Sequence, residues 1–194
     1  MPLNLPNVLT LLRVAAIPLL VVLAQLGAPW VNWGAAALFS LAAITDLLDG
    51  WLARRSGQTT AFGAFLDPVA DKLIVATALV LLTARFDNLL ITLSACVIIG
   101  REIVVSALRE WMARLGREAS VAVTQVAKVK TTIQMIAISF LFLLLPDQVQ
   151  SGGVYLAGFY FLQAVLLVAV LLTLWSMAVY LRTFFTVVKE TDGS

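Results

Sequence analysis

The chain has no histidine and a single cysteine, Cys96, and only 12% of its 194 residues are charged. Each shortage removes a class of chemistry. Without imidazole there is no histidine-ligated zinc and no histidine general base. With one thiol there is no intrachain disulfide. The opening MPLNLPN lacks the basic side chains that begin a secretory signal, and Arg13 interrupts the apolar run behind it, so the segment reads as a retained first span. Internal repeats, low-complexity tracts and the basic stripe of a nucleic-acid binder are also missing.

What remains is apolar. Hydrophobic residues make up 61% of the chain and the mean hydropathy is +0.99, beyond the range of soluble domains. Runs long enough to cross about 30 Å of hydrocarbon recur. The sequence predicts an all-α integral membrane protein with six transmembrane helices at 7–27, 34–54, 62–83, 88–114, 120–145 and 154–183. The connections are short and marked by Gly27 and Pro29, Ser56-Gly57-Gln58, Asp87-Asn88, Gly116, and Pro146 with Gly152-Gly153, so residues 1–194 form one domain. Arg54, Arg55, Arg114, Arg117, Arg182 and Lys189 fall on one side of such a bundle and only Arg85 on the other. The positive-inside rule then places both termini in the cytoplasm.

Against this background, the stretch DLLDGWLARRSGQTTAFGAFLDPVAD carries four aspartates in 26 residues. Asp46, Asp49, Gly50 and Ala53 share one helical face, and Asp67 and Asp71 repeat the pattern one span later, with Gly63 a turn before them. The short loop makes the two helices antiparallel neighbours, so the four carboxylates can converge. At 1.5 Å per residue Asp46 lies about 12 Å and Asp71 about 14 Å from the basic loop. Four such acids need cations among them. Lys72 and Arg54 can supply charge, but an oxygen-only donor set suits hard divalent ions, a pair of magnesium or manganese ions above all. Acids at this depth mark functional sites by default.

Asp46-x2-Asp49-Gly50-x2-Ala53-Arg54-x8-Gly63-x3-Asp67-x3-Asp71 resembles, without a departure, the signature of the CDP-alcohol phosphatidyltransferases. The opening LPNVLTLLR, the stretch REIVVSALREWMARLG and the segment KVKTTIQM are similar to that family's bacterial branch that uses glycerol phosphate. The resemblance implies a six-helix enzyme of the bacterial inner membrane, commonly a homodimer, with its site facing the cytoplasm. It implies transfer of the phosphatidyl group of CDP-diacylglycerol to an alcohol, with release of CMP. It further implies that Asp46, Asp49, Asp67 and Asp71 hold two divalent metals, that Asp71 is the base for the acceptor hydroxyl, and that Gly50, Ala53, Arg54 and Gly63 line the cytidine diphosphate pocket.

Other charges bear on the acceptor. Arg101 and Arg109 on the fourth span, and Lys128 and Lys130 on the fifth, overlap the aspartates in depth. Such cations fit an acceptor that brings its own phosphate, sn-glycerol 3-phosphate, better than neutral serine or inositol. Pairing with Glu102 and Glu110, or snorkelling to the interface, is the competing explanation, and snorkelling suits Arg114 and Arg117 better than these four. In the first span, Asn7, Thr10 and Arg13 form a polar strip expected to touch the donor's phosphates or to support the metal ligands. The last span, nearly uncharged before Arg182, is expected to serve lipid or dimer contact without chemistry. Two rivals fit less well. A membrane prenyltransferase separates its acidic motifs widely, and a divalent-cation transporter needs polar access from both sides.

Overall fold

The computed structural model describes residues 5–26, 30–56, 61–114 and 125–192, and every regular element among them is helical. They are α1 (Leu5–Gln25), α2 (Trp30–Ser56), α3 (Ala61–Phe86), α4 (Leu89–Arg114), α5 (Gln125–Leu143), α6 (Pro146–Gln150) and α7 (Gly153–Asp192). Three helices carry apolar stretches long enough to cross a bilayer: Asn7–Gln25, Leu89–Arg114 and Gly153–Thr186. In α3 the apolar pattern is broken by Asp67, Asp71, Lys72 and Arg85, and the apolar part of α5, Val129–Leu143, is shorter.

The boundaries follow local chemistry. The α3 helix closes at Asp87, whose φ of 42° lies in the left-handed region. Asn88 then caps α4, its Oδ1 accepting hydrogen bonds from the N–H groups of Leu90 at 3.0 Å and Ile91 at 3.2 Å. A short α6, not expected from the sequence, begins at Pro146, where a helix's first turn has no use for the missing N–H. The chain turns from α6 into α7 through Gly152 at φ 84° and Gly153 at φ 65°, conformations that cost a residue with a Cβ about 1–2 kcal/mol. Helix α7 is longer than its apolar run predicts and continues to Asp192. Pro18 and Pro68 sit inside α1 and α3, and both helices run through them.

Helix α1 packs on α2 and α3, α2 on α5, α4 on α3 and α7, and α5 on α7. Two of these pairs run parallel. Thr10 and Arg13 of α1 meet Asp67 and Asp71 of α3 in ascending order. Asn88, Arg101 and Trp111 of α4 meet Gln163, Ser176 and Phe184 of α7. The buried core gathers Leu20, Phe39, Ile74, Leu79, Leu82, Ile98, Leu141 and Phe142 with many alanines, among them Ala35, Ala78, Ala95 and Ala137. Small side chains let helix backbones approach in a medium where hydrophobicity alone does not drive packing. A second cluster, Met112 with Phe184 and Leu108, joins α4 to α7 near their C-terminal ends. Large apolar side chains cover the outside, including Trp30, Trp33, Phe161 and Trp175, as expected of a surface against lipid.

Candidate active site

The helix spacing that puts Asp67 and Asp71 one turn apart on α3 turns both toward α1 and α2. There they meet Asp46, and one carboxylate oxygen from each of the three lies within 4.8 Å of the others. At their centre stands Arg13, only 2% exposed. Its Nη1 is 3.4 Å from Asp46 Oδ1 and 3.1 Å from Asp67 Oδ1, and it is hydrogen-bonded to Asp71 Oδ1. Thr10, one helical turn earlier, donates its hydroxyl to Asp67 Oδ1 at 3.1 Å. Asn7 is buried on the same helix.

Three of the four expected carboxylates therefore converge. Among the described residues the cation that meets them is Arg13 of the first helix, from the polar strip expected to support the metal ligands, while the side chain of Arg54 lies outside the described residues. The contact is non-local: α1 lies parallel to α3, so a side chain more than fifty positions away in sequence enters the acidic hairpin. Gly63 lies on α3, half-buried, one turn before Asp67. Asp49, Gly50, Ala53 and Arg54 lie on the backbone of α2, but their side chains are outside the described residues, as is that of Lys128 on α5.

The donor set fits hard divalent cations. It contains carboxylate oxygens and no sulfur or imidazole, it is gathered from three helices, and it already accommodates positive charge at its centre. Its excess of acid over base is the arrangement that a dication compensates.

A second polar cluster joins α4, α5 and α7. Arg101, 8% exposed, pairs with Glu102 through Nη1 and approaches Ser176 Oγ of α7 through Nη2 at 3.4 Å. Lys130 is 3% exposed, and its Nζ has no hydrogen-bond partner among the described residues. Arg101, Arg109 and Glu102 all act on it electrostatically. Arg109 is otherwise exposed. Glu110 pairs with Arg114 at 2.6 Å on the surface. An ammonium buried without a partner costs several kcal/mol, which suits a place where an anion is received.

Ser176 brings α7 into this cluster through Arg101, a polar contact in a helix expected to serve lipid or dimer contact, and Thr173 is buried on the same helix. The available signal was slight: two hydroxyls three positions apart in an apolar run.

Comparison with known proteins agrees with this geometry. The family model described as CDP-alcohol phosphatidyltransferase matches residues 3–175. A CDP-diacylglycerol–glycerol-3-phosphate 3-phosphatidyltransferase of Salmonella choleraesuis (strain SC-B67) is 50% identical over 181 residues, 93% of this chain and 94% of its own. Proteins of the same name from Escherichia coli (strain K12) and Shigella flexneri serotype 5b (strain 8401) are each 49% identical over the same shares. The match spans the acidic centre and all of the second polar cluster except Ser176, one position past its end, and the chain belongs to the CDP-alcohol phosphatidyltransferase family.

Proposed function

We propose that the protein transfers the phosphatidyl group of CDP-diacylglycerol to sn-glycerol 3-phosphate, giving phosphatidylglycerophosphate and CMP in the synthesis of phosphatidylglycerol. The observation that carries this reading is the pairing of an acidic centre around Asp46, Asp67 and Asp71 with a buried basic cluster around Arg101 and Lys130. One suits the diphosphate of the donor through cations, the other the phosphate of the acceptor directly. Relatives of about half-identical sequence named for this reaction support the same choice.

In this mechanism the acceptor is bound by its phosphate through Arg101 and Lys130, with Arg109 and Lys128 toward the entrance. Its hydroxyl is thereby presented to Asp71. The carboxylate takes the hydroxyl proton as the oxygen attacks the lipid-side phosphorus, and the bond from that phosphorus to the bridging oxygen of CMP breaks. Without histidine in the chain, a carboxylate is the fitting base. Asp46, Asp49, Asp67 and Asp71 would hold a pair of magnesium or manganese ions, which would neutralise charge on the diphosphate. Gly50, Ala53 and Gly63 leave room for the cytidine diphosphate beside the acids, Arg54 adds a cation there, and Asn7, Thr10 and Arg13 line the α1 side.

The same reading takes α1–α5 and α7 as six membrane-spanning helices, with α6 as a turn between the fifth and sixth. The parallel pairings of α1 with α3 and of α4 with α7 support it, since alternate spans run the same way. Both polar clusters then lie toward the end of the bundle that holds the basic loops, the cytoplasmic side of a bacterial inner membrane. A water-soluble acceptor can reach a lipid-anchored donor there. A homodimer is the assembly this family membership suggests.

The test supplies labelled CDP-diacylglycerol with sn-glycerol 3-phosphate, serine, inositol phosphate or choline, each with and without magnesium. Labelled phosphatidylglycerophosphate and CMP should form with glycerol phosphate alone and only with the metal. Incorporation of serine would overturn the acceptor and leave the donor standing.

A further inference from the structure

Arg13 does more in this arrangement than line a pocket. A single nitrogen, Nη1, contacts an oxygen of Asp46, of Asp67 and of Asp71, the same three residues whose carboxylates are grouped closely enough to ligate one ion. An ion bound by all three must stand between them, because magnesium–oxygen bonds are only about 2.1 Å long. That space is where Nη1 stands. Two positive centres cannot share it without an anion between them, and beside a guanidinium this buried, with the acids half-buried, their repulsion is only partly screened.

From this coincidence we infer that Arg13 is an internal competitor for the divalent ions. Its guanidinium and the ion take the same carboxylates in turn, so that Arg13 sets the affinity of the acidic centre and holds its three helices together until an ion arrives. The inference rests on the reading that these carboxylates bind a divalent cation. Arg13 is suited to the role in two ways. A guanidinium is charged at every working pH and offers several donors, so it can bridge acids from two other helices. Its long side chain also lets it withdraw along α1 without moving the helix, and Thr10 keeps a hold on Asp67 while it does so.

Competition makes a prediction opposite to that of an ordinary supporting residue. A residue that orients metal ligands weakens ion binding when removed, whereas removing a competitor strengthens it. The experiment measures Mn2+ binding to the detergent-purified full chain without substrate, from the electron paramagnetic resonance signal of free Mn2+, together with thermal stability in EDTA and in Mn2+. Arg13→Met should bind Mn2+ about ten-fold more tightly or better, the size of the weaker close charge-pair couplings. It should melt below the wild type in EDTA and close that gap in Mn2+. Added guanidinium should weaken Mn2+ binding to Arg13→Ala and leave the wild type unaffected. If Arg13→Met does not fold, Arg13→Lys carries the test, with binding tighter than wild type expected because an ammonium cannot span the acids as the fork does.

Equal or weaker Mn2+ binding in the variant that folds would overturn the competition, as would an equal loss of stability with and without the ion. Asp67→Asn separates the two levels of failure. If the wild type binds Mn2+ and Asp67→Asn does not, while Arg13→Met matches the wild type, only the competition falls. If neither the wild type nor Arg13→Met binds Mn2+, the divalent reading itself falls and takes the competition with it.

Discussion

Replacing Lys130 by methionine separates recognition from stability. The ammonium is 3% exposed, has no hydrogen-bond partner among the described residues, and feels two arginines against one glutamate. Methionine fills a similar volume without the charge, so the substitution removes an uncompensated buried ion, and replacements of that kind are often neutral or stabilising. The melting temperature should therefore hold or rise, where an ordinary polar-to-apolar exchange at a packed site would lower it. Acceptor binding should suffer. A hydrogen bond to a charged group contributes about 1.5–3 kcal/mol, which corresponds to a rise of roughly 10- to 150-fold in the KM for sn-glycerol 3-phosphate. The assay measures initial rates in mixed micelles, varying each substrate with the other saturating, beside a melting curve of the same preparation. An equal rise in the KM for CDP-diacylglycerol, or a marked loss of stability with the acceptor KM unmoved, would refute the assignment of Lys130 to phosphate.

Asp71→Asn should lower kcat by about 10²- to 10⁴-fold, the usual worth of a positioned base, and near-normal turnover with Mn2+ affinity intact would end that role. Stripping divalent ions with EDTA should abolish transfer and magnesium or manganese should restore it, as followed by CMP release; activity surviving exhaustive chelation would remove the metals from the mechanism. Gly152→Ala should destabilise by about 1–2 kcal/mol because of the left-handed φ, with kcat and both KM values unchanged; an unshifted melting temperature would mean that the turn relaxes freely.

Much of the site was legible because its chemistry is periodic. Spacing alone puts Asp67 and Asp71 on one face of α3 and Asp46 on α2, although the short connection barely packs those helices together and they converge because α1 packs against both. Arg101 and Lys130 stood out because ionised groups are rare in apolar spans. The polar strip of Asn7, Thr10 and Arg13 suggested support for the metal ligands, but which acids Arg13 meets was not legible, because it reaches them only through the packing of α1 beside α3, a fact of tertiary structure. Ser176 escaped for a related reason, since its partner lies on another helix 75 positions away. The ends of helices were the least legible. The apolar run stops near residue 183, yet nothing after it breaks a helix, and α7 continues to Asp192.

The acidic centre takes its arginine from the first helix and two of its acids from the third, and this has a bearing on biogenesis. Arg13 and Asp67 are separated by 54 positions, so a ribosome adding about 5–20 residues per second makes the acid roughly 3–11 s after the base. During that interval the first segment enters the translocon's exit with a charge whose partners on the third helix, Asp67 and Asp71, do not yet exist, a penalty of about 2.5–3.5 kcal/mol if it reached mid-bilayer unpaired. Its place near the segment's start keeps the guanidinium within reach of headgroups while it waits. The nascent chain thus has reason to hold its opening helix near the membrane surface until the third emerges.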